Sequence, residues 1–190
     1  MNTPRITAPA IGGAQGTLRI LFLFTLLLEA SCYSKPISTM PDFTLLDVHG
    51  GEFHLHSQPA QPLLLAFLQT IPDTVDTPSR RQVVFLSSMA QQYSSRGLRV
   101  AVVDATVLVH GSQPSHDAVL NADYDWQLKF QLLLDKNAGL ARTLEVEEVP
   151  TTFLISADGK ILHRWNGFSR PAVLALQIQK LVGGPLAQTP

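Results

Sequence analysis

Apolar and polar residues follow several distinct rhythms along this chain, and each rhythm marks out an element. Phe43 to Val48 reads as a strand, His49-Gly50-Gly51 as a turn, and Glu52 to Leu55, where apolar positions alternate, as a return strand. Pro62 to Leu68 is a continuous apolar run, short enough for a strand buried on both faces. From Arg80 to about Arg96 the rhythm changes. Val83, Val84, Leu86, Met89, Ala90 and Tyr93 fall three and four apart, as one face of a helix requires, and Gly97 closes it. Gln69 to Ser79 links run and helix, with Ser79 or an adjacent polar residue as the helix cap.

Leu98 to Asp104 is a second buried strand, residues 105–115 read as a loop, and Asp117 to Asp123 as a short helix. Phe130 to Asp135 then reads as a strand and Ala138 to Leu144 as another short helix. Thr152 to Ser156 and Lys160 to Trp165 form a hairpin around Ala157-Asp158-Gly159, a strong turn signal. Ser169-Arg170-Pro171 opens a last helix to about Val182, with proline in its first turn, and Gly183-Gly184-Pro185 ends it. Strands alternating with helices and closing on a hairpin predict an α/β fold with a mixed central sheet.

The N-terminus stands apart. Arg5 and Arg19 are the charges that precede the apolar run Ile20 to Leu28. As a helix this run rises about 14 Å, short of the roughly 30 Å hydrocarbon core of a bilayer. A basic stretch, a short apolar core and the small residues Ala30 and Ser31 describe a secretory signal. Cys32 sits where a bacterial lipoprotein signal places its acylated cysteine, although Glu29 departs from that pattern. Lipidation, cleavage nearby and an uncleaved anchor all remain open. The organisation expected is a signal over 1–32, a tether over 33–40, one domain over 41–182 and a tail over 183–190. The protein is then exported, to a periplasmic or cell-surface location, and anchored at the membrane by its signal or a lipid.

Composition narrows the chemistry. A chain of 190 residues that is 45% hydrophobic can bury one good core. A net charge of −1 offers no basic field to nucleic acid. Cys32 is the single cysteine. Among the six histidines, His54 and His56 lie two apart and would point to one side, but two ligands without further partners do not make a metal site. No cofactor or metal is expected. Trp126 and Trp165 read as partial core residues, and Arg80-Arg81 as a solvated helix start.

Between Pro41 and Val182 a series of short segments recurs in a telling order. They are Pro41-Asp42-Phe43-Thr44-Leu45-Leu46-Asp47 with Gly50 and Phe53, then Leu65-Ala66-Phe67, Gly97-Leu98-Arg99-Val100, Leu133-Leu134-Asp135 and Val149-Pro150-Thr151-Thr152-Phe153. In these the chain resembles the TlpA/ResA-like branch of the thioredoxin superfamily, the redoxin group related to the AhpC/TSA peroxiredoxins. The resemblance implies a thioredoxin-like fold with an extra N-terminal β-hairpin, an insertion before the fourth strand, and a cis Pro150 beside the redox loop. Counted back from Gly97, the redox-site positions fall on Asp76, Thr77, Pro78 and Ser79, and counted forward from Phe67 on Pro72 to Val75; the family carries Cys-x-x-Cys there, and this chain has sulfur in neither.

A thiol-disulfide enzyme needs an attacking thiolate and a resolving thiol. Without them no catalytic residue is assigned, and the family's activity has no visible centre. Ser79 would need a general base to act as a nucleophile, and none adjoins it in sequence. Three functions stay open. One is a binding module that takes a protein or extended peptide along Val149, Pro150 and Thr151. Another is an oxidoreductase or antioxidant protein that uses a cysteine in trans, or Cys32. The third is a structural lipoprotein.

Overall fold

The computed structural model describes residues 38–56, 60–71 and 77–183. The signal, Cys32 and most of the tether lie outside these residues. Within them, β1 (Thr44–Asp47) and β2 (Glu52–His54) form the N-terminal hairpin, followed by β3 (Leu63–Leu68), α1 (Pro78–Tyr93) and β4 (Arg99–Asp104). Next come α2 (Thr106–His110), α3 (His116–Trp126), β5 (Gln131–Leu134) and α4 (Gly139–Thr143). The chain closes with β6 (Thr151–Ile155), β7 (Ile161–Asn166) and α5 (Pro171–Val182).

The strands make one sheet in the order β2-β1-β5-β4-β3-β6-β7. β3 pairs parallel with β4 and antiparallel with β6, and β4 pairs parallel with β5. The unit β4-β3-β6-β7 with α1, α4 and α5 is the thioredoxin-like core. The hairpin is the expected N-terminal addition. The expected insertion corresponds to the stretch from α2 to β5, ahead of β6.

β3 is the axis of the core because every one of its side chains is buried. Successive strand residues point to opposite faces. Leu63, Leu65 and Phe67 therefore join one cluster, with Phe53, Leu140, Leu144 and Phe153, while Leu64, Ala66 and Leu68 join the other. The second face is roofed by Leu86, Met89 and Tyr93 of α1, Val119 and Trp126 of α3, and Leu174 and Ile178 of α5. Each large apolar side chain contributes about 1.5–3 kcal/mol on burial, so the sheet is held from both sides.

Polar side chains fix the turns. Asp47 accepts from the N–H groups of His49 and Gly51 at 2.9 and 2.8 Å and from Gln131 Nε2 at 3.1 Å. Burial opposes its ionisation, but these donors outweigh burial and hold its carboxyl below the usual range. A Cβ on Gly51 would stand 2.7 Å from Asp47 Oδ2, which is why the turn takes glycine there. Asp135 orders α4 by accepting from Leu140 N and Ala141 N at 3.0 and 2.8 Å.

Several boundaries differ from those the sequence predicts. Order begins before Pro41: Met40 is 2% exposed within the core, and Met40 N–H donates to Gly159 O at 2.8 Å. The stretch read as a loop holds the five-residue α2, ended by Gly111 at φ +69°. α3 runs on past Asp123 to Trp126 and stops on Gln127 in a left-handed conformation. Among the described residues no helix is long and apolar enough to cross a membrane.

Candidate functional site

Of the positions expected from the resemblance, Thr77, Pro78 and Ser79 are described, and they lie where β3 hands over to α1. Thr77 is extended (φ −76°, ψ 151°) and caps the helix, its side chain accepting from Arg80 N at 3.1 Å, and Pro78 fills the first turn. Ser79 is therefore not the cap. It lies inside the first turn, 2% exposed, turned towards β3, where its Oγ accepts from Gln69 N–H at 3.0 Å. Asp76 lies outside the described residues.

The Val149–Pro150 bond is cis. Phe67 pairs with Thr151, so Pro150 sits immediately before the start of β6, at the same end of the sheet as Gln69 and the start of α1. Thr151 is fully buried and its Oγ1 donates to Glu148 O at 2.7 Å, which fixes the approach to the proline. Val149 is only half-buried. Neither its N–H nor its C=O has a hydrogen-bond partner among the described residues.

Sequence reasoning missed the polar network beneath this end of the sheet. Asp104 Oδ1 accepts from Thr70 Oγ1 at 2.8 Å, Thr106 Oγ1 at 2.5 Å and Thr106 N at 3.1 Å. Thr106 Oγ1 accepts in turn from Thr70 N at 3.0 Å. All three residues are buried, and Asp104 Oδ2 has no partner among the described residues. The network ties the loop leaving β3 to the turn leaving β4. A strand-terminal Asp followed two residues later by Thr was the readable signal, because both side chains bond locally to backbone.

Chemically the site has little to react with. Among the described residues there is no sulfur nucleophile, since Cys32 lies outside them. The imidazole tied to this region, His110, is bonded to Gln69 Nε2 at 3.0 Å and makes no hydrogen bond to Ser79. His54 and His56 separate: His54 pairs with Glu52 at 3.0 Å and His56 with Asp42 at 2.8 Å. The His56 hydrogen bond holds the Asp42 carboxyl below its ordinary range. No group of three or more potential metal ligands forms among the described residues. Arg80 and Arg81 are not freely solvated, since their guanidinium carbons lie 5.3 Å from the Trp126 ring and 5.2 Å from the Phe168 ring.

Known proteins are similar to this chain in sequence and in fold. Residues 37–164 match the model of the AhpC/TSA family. Thiol-disulfide oxidoreductase ResA of Bacillus cereus is 25% identical over 141 residues, covering 74% of this chain and 75% of that protein. ResA of Geobacillus thermodenitrificans is 26% identical over 124 residues, 65% of each chain. Among solved structures, a putative thiol:disulfide interchange protein DsbE from Chlorobium tepidum superposes with a TM-score of 0.65 at 24% identity, covering 78% of this chain and 99% of that one. A secreted Mycobacterium tuberculosis disulfide oxidoreductase gives 0.60 at 17% identity over 73% and 96%. These structural likenesses show the fold.

Proposed function

The chain belongs to the AhpC/TSA family, and from that premise we propose that it is an exported, thioredoxin-fold binding module without redox chemistry of its own. Its ligand is an extended segment of another protein. The observation that carries this reading is the Val149 backbone, whose N–H and C=O are free of described partners at a half-buried position. An extended peptide laid along Val149 gains main-chain hydrogen bonds by β-addition, with affinity set by backbone and selectivity by flanking side chains. Thr151 turns inward and keeps the presenting backbone fixed. Ser79, where the family keeps a sulfur, serves structure instead.

Export rests on the apolar run before Cys32, and anchoring through a signal or a lipid on Cys32 goes with it. A second reading is kept because relatives are named thiol-disulfide oxidoreductases: redox activity through Cys32 or a cysteine supplied by another protein.

Calorimetric titration of the full chain with a permanently unfolded, thiol-blocked protein separates the two. The binding module takes up this ligand, and Val149→Pro, which removes the N–H donor, weakens uptake while the fold is retained. An oxidoreductase that acts only by thiol exchange does not bind it.

A further inference from the structure

A groove of about 690 Å³ runs along the outer face of α1, with the end of α3 as its far wall. Arg80, Val84 and Ser87 lie on its helix side, and Trp126 and Lys129 on the other. Among the described residues no carboxylate lines it. Arg80 is set in place by the Trp126 ring and by the carbonyl of Asp125, which its Nη2 reaches at 3.3 Å. Arg80 and Lys129 form no ion pair with a described carboxylate. Val84, at 61% exposed, is an apolar surface with no cover.

Beside this groove stands its complement. Tyr124 of α3 is 84% exposed, unusual for an aromatic that would gain from burying its ring while keeping its hydroxyl wet. Next to it the Asp125 carboxylate is exposed and unpaired among the described residues. α1 carries Arg80 and Arg81 and no acid, whereas α3 carries Asp117, Asp123 and Asp125 and neither lysine nor arginine.

We propose that the occupant of the groove is a second copy of this chain, related by a two-fold axis, which inserts its Tyr124 against Val84 and brings its Asp125 to Lys129. In such an isologous contact each copy supplies both knob and groove, so the ring and the charge pair are each formed twice. The aromatic and arginine content of the patch is what concentrates binding energy in protein interfaces. An extended peptide is a poorer occupant, because the α1 backbone is already satisfied within the helix and offers it no ladder. This contact is independent of the Val149 site, and either can fail without the other.

Sedimentation analysis of the full chain over a wide concentration range tests it. Wild type associates to a dimer, and Tyr124→Glu weakens association by about tenfold or more with the circular dichroism unchanged. Lys129→Glu and Asp125→Lys each weaken association alone and restore it when combined, because a dimer of the double variant contains the swapped pair twice. A wild type that stays monomeric overturns the proposal, as does a dimer indifferent to Tyr124→Glu or to the charge swap. Binding of an acidic helical peptide or an acyl lipid to a monomer at this groove assigns it a different occupant and overturns it too.

Discussion

Gln69 and Ser79 are joined by a hydrogen bond, the Gln69 N–H donating to Ser79 Oγ at 3.0 Å. It ties the end of β3 to the first turn of α1, where the Ser79 hydroxyl serves as a structural acceptor. Ser79→Ala leaves the Gln69 N–H without that acceptor, a loss of about 1–2 kcal/mol. Urea unfolding should show the midpoint fall with little change in slope. An unchanged midpoint would mean that water replaces the serine freely.

Redox behaviour follows from the missing sulfur. With Cys32→Ser as background, the chain should reduce insulin disulfides no faster than buffer containing the thiol donor. Asp76→Cys with Ser79→Cys should raise the rate above that background, because a helix N-terminus lowers a thiol pKa. Turnover by the cysteine-free chain would identify a working enzyme. A silent double variant would show that the backbone around Asp76 no longer follows the active family.

Asp104 serves three donors from Thr70 and Thr106. Asp104→Ala should cost about 2–4 kcal/mol, as buried donors lose their acceptor. In hydrogen exchange, the Thr70 and Thr106 amides should lose protection before those of α5. Uniform loss across the domain would instead mark Asp104 as an ordinary core contributor.

The hairpin turn between β6 and β7 makes stability depend on pH. Lys160 Nζ lies 2.6 Å from Asp158 Oδ2, and the hydrogen bonds from Lys160 and then Ser156 lower the Asp158 pKa from 3.8 to about 2. A carboxyl depressed on folding stabilises the fold above its unfolded pKa, and that contribution is lost as pH falls through about 2. A carboxyl-carbon NMR titration should place the Asp158 midpoint near that value, and Lys160→Met should raise it. A midpoint unmoved by the substitution would show that Lys160 contributes nothing.

Much of the fold was legible because its elements are long or strongly patterned. β3 and β4 are rich in consecutive apolar residues, and α1 presents four turns of regular spacing. The five residues of α2 are too few to show a helical period. α3 extends beyond the expected Asp123 to Trp126, and its end at Gln127 lacks the glycine that usually marks one. The cap expected at or beside Ser79 is Thr77 instead, because proline at the first helical position makes the residue before it the cap. At the site, cis Pro150 followed from resemblance; the Asp104–Thr106 contact is local and readable, whereas the link from Thr70 depends on two strand ends meeting.

Everything proposed for the site turns on whether Val149 presents its backbone to an extended protein segment without redox chemistry. Amide NMR of the full chain with Cys32→Ser, titrated with a thiol-blocked unfolded protein, reads this at the residues themselves. The Val149 and Thr151 amides should shift most, in saturable fashion, and Val149→Pro should weaken the response at Thr151. Shifts confined to the α1–α3 groove, or none at saturating ligand, would refute the binding module.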